Sequence, residues 1–141
     1  MCITDYSTST KMMVQFGLYC KTIKNLGTTP HHRELLLDGT SLKTLGCFCL
    51  TEIGHGSNAR GIETTAEFDP ETNEFIINSP TETSAKFWIG NLAKTAQNAV
   101  VFAHLITLGE NKGVHAFVFP IRDRNNHMPL PRIQIGDCGD K

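Results

Sequence analysis

The chain is predicted to be mainly β, an antiparallel barrel or sandwich preceded by a short helical segment, and three features point there. The apolar spacing changes from helical to strand-like near Leu45. Beyond it, short runs rich in Val, Ile, Thr and Phe are separated by turn clusters, Asp69-Pro70-Glu71-Thr72-Asn73 and Gly109-Glu110-Asn111-Lys112-Gly113. No long helical pattern alternates with these runs, as a doubly wound parallel sheet would require.

Element by element, Asp5, Ser7 and Thr8 offer N-caps to a first helix whose Met12, Met13, Phe16, Tyr19, Cys20 and Ile23 recur at helical spacing, with Gly27 as its stop. A second, shorter helix is capped by Thr29, has Pro30 where proline is welcome, and ends at Gly39. The first helix has only this short partner, so it packs on the sheet or has partners elsewhere. Apolar surface left open there predicts poor solubility for the isolated chain. Gly46 to Glu52 reads as a mostly buried strand, and Ile62 to Phe68 with Glu74 to Asn78 as a β-hairpin. Residues 82–88 form another short candidate strand. Residues 96–108 fit helix or strand, and Val100, Val101, Phe102, Ile106 and Thr107 tilt them to strand. Val114 to Ile121 is a strand after the 109–113 turn, and residues 133–135 add one more.

Composition narrows the function classes. Hydrophobic residues at 40% and charged residues at 19% are those of an ordinary globular domain, and 141 residues suffice for a real core. A net charge of -1 gives no sign of a nucleic-acid footprint or an anionic-membrane surface. No apolar run approaches a membrane span, and no basic-then-apolar leader opens the sequence, so a soluble intracellular protein is expected. Five cysteines at irregular spacing (Cys2, Cys20, Cys47, Cys49 and Cys138) speak for reduced thiols rather than a disulfide framework. Cys47 and Cys49 would share one face of a strand. A zinc site recruiting them with His31, His32 or His55 lacks the paired ligand spacing, so small apolar residues inside a sheet are the better reading and no metal is expected.

The most informative segment is Thr51-Glu52-Ile53-Gly54-His55-Gly56-Ser57-Asn58-Ala59-Arg60-Gly61. Gly54, Gly56 and Ala59 match a dinucleotide-binding spacing after a strand, but that fingerprint needs a helix next, and Ile62 to Phe68 read as strand. What remains is a glycine-rich loop, either a plain connection or a place where backbone approaches a planar or phosphorylated ligand. Lys86-Phe87-Trp88-Ile89-Gly90-Asn91 holds the only tryptophan, which taken alone is more often core than cofactor contact. His104 and His115 lie in apolar strands and read as structural. The 69–74 turn lacks calcium-loop spacing. Ser57 lacks a nucleophile-elbow context, and no catalytic residue is assigned.

Taken together, these segments resemble the acyl-CoA oxidase family, within the wider acyl-CoA dehydrogenase superfamily. The resemblance runs in order through Asp5-Tyr6-Ser7, Phe16-Gly17-Leu18, Asn25-Leu26-Gly27-Thr28, Gly46 to Glu52, Gly54-His55-Gly56-Ser57-Asn58 and Glu63-Thr64-Thr65-Ala66. It continues through Phe75 to Pro80, Lys86-Phe87-Trp88, His115-Ala116-Phe117-Val118 and Pro120-Ile121-Arg122-Asp123. It implies that residues 1–44 are the end of the family's N-terminal helical domain and residues 45–141 its middle antiparallel β-barrel domain, which holds one side of an FAD. By motif position, Thr51 corresponds to the threonine facing the isoalloxazine ring, Gly90 to a flavin-contacting backbone, and Trp88 to the aromatic slot beside the ring. Ser57 matches a position near the acyl-CoA.

Phe87 departs from the family's more usual Lys-Trp-Trp, keeping an aromatic surface but losing an indole N–H. The family's catalytic glutamate belongs to a C-terminal helical domain with no counterpart here. The resemblance therefore implies a fragment or short isoform of an FAD-dependent acyl-CoA oxidase, inactive alone, whose family desaturates fatty acyl-CoA in peroxisomes as homodimers. A non-catalytic binding or regulatory module is the alternative. A flavin-free lipid-binding barrel is a third reading, which Thr51 and Gly90 disfavour. No peroxisomal Ser-Lys-Leu-type ending is present.

Overall fold

The computed structural model describes residues 5–139, so Cys2, Asp140 and Lys141 lie outside it. The first helical run comprises α1 (Tyr6–Met12), a π-helical stretch (Met13–Cys20) and α2 (Lys21–Leu26). Its start is the predicted one: the Asp5 carboxylate accepts from the Ser7 and Thr8 N–H groups at 2.9 and 3.2 Å. At its end Gly27 is extended (φ -76, ψ 162) and donates its N–H to the Ile23 carbonyl at 2.9 Å, so it closes the helix without a left-handed turn. The second run is α3 (Thr29–His31), a π-helical stretch (His32–Leu36) and α4 (Leu37–Thr40). Its cap is Thr28 rather than Thr29, because a capping box with His31 fixes the start one residue earlier. No described helix is long and apolar enough to cross a membrane.

Five strands follow: β1 (Gly46–Cys49), β2 (Thr65–Asp69), β3 (Glu74–Asn78), β4 (Asn98–Thr107) and β5 (Glu110–Pro120). The predicted hairpin is β2–β3, antiparallel with Thr65 opposite Asn78 and Asp69 opposite Glu74. The all-antiparallel expectation needs correcting. β2 and β4 run parallel, with Thr65 opposite His104 and Glu67 opposite Ile106. Pairing follows the path β1-β4-β2-β3 with β5 also on β4, so the sheet is mixed, and the described pairings do not close it into a barrel. Turn residues announce hairpins, whereas parallel partners meet only through a long crossover that leaves no local signal.

Two further expectations fail. Residues 82–88 form no strand and make a single bridge, Lys86 with Glu52, while residues 133–135 lie in irregular chain. The 109–113 turn is shorter than expected. Leu108 (φ 52) and Gly109 (φ 75) alone connect β4 to β5, with the two left-handed residues of a type I′ hairpin.

The chain divides into two compact units. One gathers the residues up to Phe48 with Ile89–Val100 and Val118 onward; the other comprises Cys49–Trp88 and Val101–Phe117. In the first, Tyr19, Cys20, Ile23, Cys47, Ala96, Ala99, Val100 and Ile121 are buried. Buried Gln15 ties the helical run down: its Nε2 donates to the Gly39 and Thr44 carbonyls at 2.9 and 3.1 Å, and its Oε1 accepts from the Gly46 N–H at 2.8 Å. Arg122, also buried, donates to the Leu92 and Ala93 carbonyls at 2.9 and 2.6 Å. In the second unit Cys49, Ile62, Ala66, Val101 and Ala103 are buried, and Phe75 packs edge-on against Phe117 with ring centroids 5.2 Å apart.

Candidate functional site

The second unit concentrates its polar chemistry around Glu52, at the polar end of the segment predicted as the first buried strand. A carboxylate there is admissible only with partners, because an unpaired buried charge is costly. Glu52 has them. Its side chain is fully buried and accepts from Thr64 Oγ1 at 2.6 Å, Glu63 N–H at 2.8 Å, Lys86 Nζ at 2.9 Å and Thr64 N–H at 3.0 Å. His55 Nδ1 stands 3.2 Å from its other side. Burial raises the carboxyl's pKa, but the hydrogen bonds from Thr64, Glu63 and Lys86 outweigh it and draw the value from 4.5 down to about 2. Lys86 is nearly as enclosed and also donates to the Phe102 and Leu50 carbonyls at 2.8 and 3.3 Å. Its pKa is lowered, because burial disfavours the cation more than Glu52 restores it. Of the pair, Glu52 is the firmly ionised member, since three of its donors are independent of Lys86.

This knot sits inside a short antiparallel ladder. Phe87 N–H donates to the Thr51 carbonyl at 3.0 Å, Ile53 N–H to Ala85 at 3.0 Å, and Gly54 N–H to Thr83 at 2.9 Å. Glu63 anchors the outer edge, where the Thr81 and Thr83 hydroxyls hold its carboxyl below its ordinary pKa.

Each residue singled out from the sequence can now be placed. Thr51 is half-buried, with its carbonyl engaged by Phe87. Trp88, one residue further on, is 61% exposed and left-handed (φ 61), a rare conformation for a bulky side chain. Its ring lies 6.0 Å from that of Phe87. Thr51 and Trp88 are thus brought to one end of the same ladder. Ser57 lies on the exposed glycine loop, after the turn in which Glu52 and His55 bond each other's backbones. Gly90 belongs to the first unit, where a Cβ would come within 2.9 Å of Val14 Cγ2, so packing alone already demands a glycine. His104 and His115 are satisfied as expected, by Asn111 Oδ1 at 3.3 Å and the Gly113 carbonyl at 3.0 Å. Cys47 and Cys49 are both buried on β1.

Reading the sequence missed the Glu52–Lys86–Thr64 knot. Its one available signal was a pair of opposite charges bordering apolar and aromatic runs, each needing a partner that spacing could not supply.

No family model matches the chain. Human peroxisomal acyl-coenzyme A oxidase 1 is 48% identical over 128 residues, covering 91% of this chain and 19% of that protein. The crystal structure of acyl-CoA oxidase 1 from Yarrowia lipolytica superposes with a TM-score of 0.95 at 37% identity, over 99% of this chain and 21% of that one. Acyl-CoA oxidase-2 of Caenorhabditis elegans, solved with FAD, ascaroside-CoA and ATP, gives 0.89 at 35% identity, over 93% and 20%. The chain therefore spans about one-fifth of the length of the relatives it matches. By sequence and by fold, the chain belongs to the acyl-CoA oxidase family, as a segment corresponding to that fifth.

Proposed function

We propose that this chain supplies the flavin-facing β-domain of an FAD-dependent acyl-CoA oxidase, with residues 1–44 as the end of the N-terminal helical domain and 45–141 as the middle β-barrel domain. The observation that carries the reading is the ladder that ends in half-buried Thr51 and exposed Trp88. A planar, partly polar ring fits such an end: an aromatic face for stacking beside a threonine able to hydrogen-bond. Thr51, Trp88 and Gly90 would hold the FAD, and Ser57, on the glycine loop, would contact the acyl-CoA.

When bound, the flavin supplies a hydride acceptor for the β-carbon of a fatty acyl-CoA, the overall family reaction being acyl-CoA and oxygen to trans-2-enoyl-CoA and hydrogen peroxide. This chain's share is positional. Thr51 would hydrogen-bond the ring, Trp88 would shield it from water, and the glycine loop would admit the thioester segment. The α-proton would go to a carboxylate of the family's C-terminal helical domain, so no catalytic residue is assigned here. By the same resemblance the protein acts in the peroxisome and as a homodimer; the curated relatives are named as peroxisomal.

The test is the visible spectrum of the purified chain after incubation with FAD and removal of free cofactor. Retained flavin absorbance, lost on Thr51→Phe in a variant whose circular dichroism matches that of the parent, supports the reading. A colourless protein removes flavin binding by this chain alone.

A further inference from the structure

The two oxygens of the Glu52 carboxylate serve different parts of the chain. Oε1 accepts from Lys86 Nζ and from both donors of Thr64, while Oε2 accepts from the two ends of the glycine-rich loop. From the entry comes His55 Nδ1 at 3.2 Å, and from the exit the Glu63 N–H at 2.8 Å. Because the ionised carboxylate has no proton to give, Nδ1 must be the donor. On the other side of the ring, Nε2 stands 3.7 Å from Glu63 Oε1, within electrostatic reach but too far for a hydrogen bond. The Thr81 and Thr83 hydroxyls hold that Glu63 carboxylate in place. The His55 side chain, only 19% exposed, thus lies across the base of the loop and meets the partners of entry and exit at once. Beyond it the tip is loosely held. Its bonds, Ala59 N–H to the Ser57 carbonyl and Gly61 N–H to the Asn58 carbonyl, both 3.0 Å, are internal to the loop. A Cβ on Gly56 would meet nothing within 4 Å. Among the described residues, no hydrogen bond or ion pair joins residues 56–61 to chain outside the loop.

We infer that His55 is a positioning residue, whose ring ties the entry of the loop to its exit and so holds Ser57 where an acyl-CoA thioester would meet it. The inference rests on the acyl-CoA reading for what Ser57 meets, whereas the tie itself is a property of the free chain. Glu52 does not depend on it. Without the ring, Thr64, Lys86 and the Glu63 N–H still satisfy the buried carboxylate, so the unit keeps its fold. What is lost is the restraint on residues 56–61, whose backbone then samples more conformations and meets the thioester at a greater entropic cost.

Arg60 lies exposed on the tip, so trypsin cleavage after it reports how often the loop opens. Cleavage after Lys112, exposed in the same unit, is the internal reference, because general loosening of that unit raises both cuts together. The experiment compares the full 141-residue chain with His55→Leu and His55→Asn. It uses far-UV circular dichroism, the ratio of the two cleavage rates, and calorimetric titration with octanoyl-CoA. For His55→Leu the expected result is an unchanged circular dichroism spectrum, a cleavage ratio raised about tenfold, and octanoyl-CoA affinity lowered about tenfold. Asparagine places an N–H donor near the position of Nδ1, so His55→Asn recovers most of both. If His55→Leu does not fold, His55→Ser carries the same comparison without setting an apolar group beside the carboxylates. A cleavage ratio equal to the parent's in a folded variant overturns the tie. A raised ratio with unchanged octanoyl-CoA affinity overturns the positioning role. Octanoyl-CoA that fails to bind the parent defeats the acyl-CoA reading, and the cleavage ratio, measured without ligand, still decides the tie.

Discussion

The ring of Tyr19 lies directly against Gly46, so close that a Cβ on residue 46 would sit 2.3 Å from two of its ring carbons and 2.4 Å from a third. Tyr19 is fully buried, and Asn98 Nδ2 donates to its hydroxyl at 3.4 Å. Gly46→Ala must therefore displace a locked aromatic ring. The expected loss is about 1–3 kcal/mol, the usual cost of overpacking, read as a lower midpoint in urea unfolding. Gly56→Ala, where a Cβ meets nothing within 4 Å, is the control and should leave the midpoint nearly unchanged.

Glu52 gives the stability a defined acid limb. Its folded pKa of about 2 lies below the ordinary 4.5, so its contribution is complete above pH 4.5 and drains away as the pH falls toward 2. The difference corresponds to about 3 kcal/mol at neutral pH. In acid titrations followed by circular dichroism, Glu52→Gln should be less stable than the parent at pH 7, with the gap narrowing below pH 4.5. A gap constant from pH 7 to pH 2.5 would contradict the assignment.

Gln15 satisfies three backbone groups from buried positions. Gln15→Leu keeps the volume but leaves the Gly46 N–H and the Gly39 and Thr44 carbonyls without that partner. A loss of about 2–4 kcal/mol is expected, because each stranded buried group carries a desolvation penalty. Denaturant titration measures it, and a change under 1 kcal/mol would mean that water replaces the side chain without difficulty.

Leu108 is the reverse case, a residue to improve. It is 92% exposed and occupies a left-handed position of the β4–β5 turn, where a leucine gains no burial and meets steric opposition. Leu108→Asn should raise stability by about 0.5–1 kcal/mol, since asparagine followed by glycine suits a type I′ turn. Thermal unfolding with an upward shift supports this; a downward shift would show that Leu108 has a packing role.

Local signals carried much of the fold because the forces behind them are local. The Asp5 cap, the Asp69–Asn73 turn and the β-branched stretch at Val100–Val101 each act within a few residues, and each appears where expected. Residues 82–88 were misread because their regularity comes from one bridge and an ion pair to residues some thirty positions earlier, not from a strand of their own. Gly90 shows the converse. Its place in a motif pointed to a ligand, and the structure adds Val14 as an equally sufficient reason for a glycine.

By itself the sequence determined the family, the helical beginning, the β2–β3 hairpin and the identity of Thr51, Ser57, Trp88 and Gly90 as residues of interest. All of these rest on residue type and order. Tertiary structure alone decided the parallel β2–β4 pairing, the burial of Glu52 with Lys86, and the left-handed turn that exposes Trp88. The physical reason is that a buried ion pair and a parallel crossover join residues distant in sequence, so their energies depend on which surfaces the folded chain brings together.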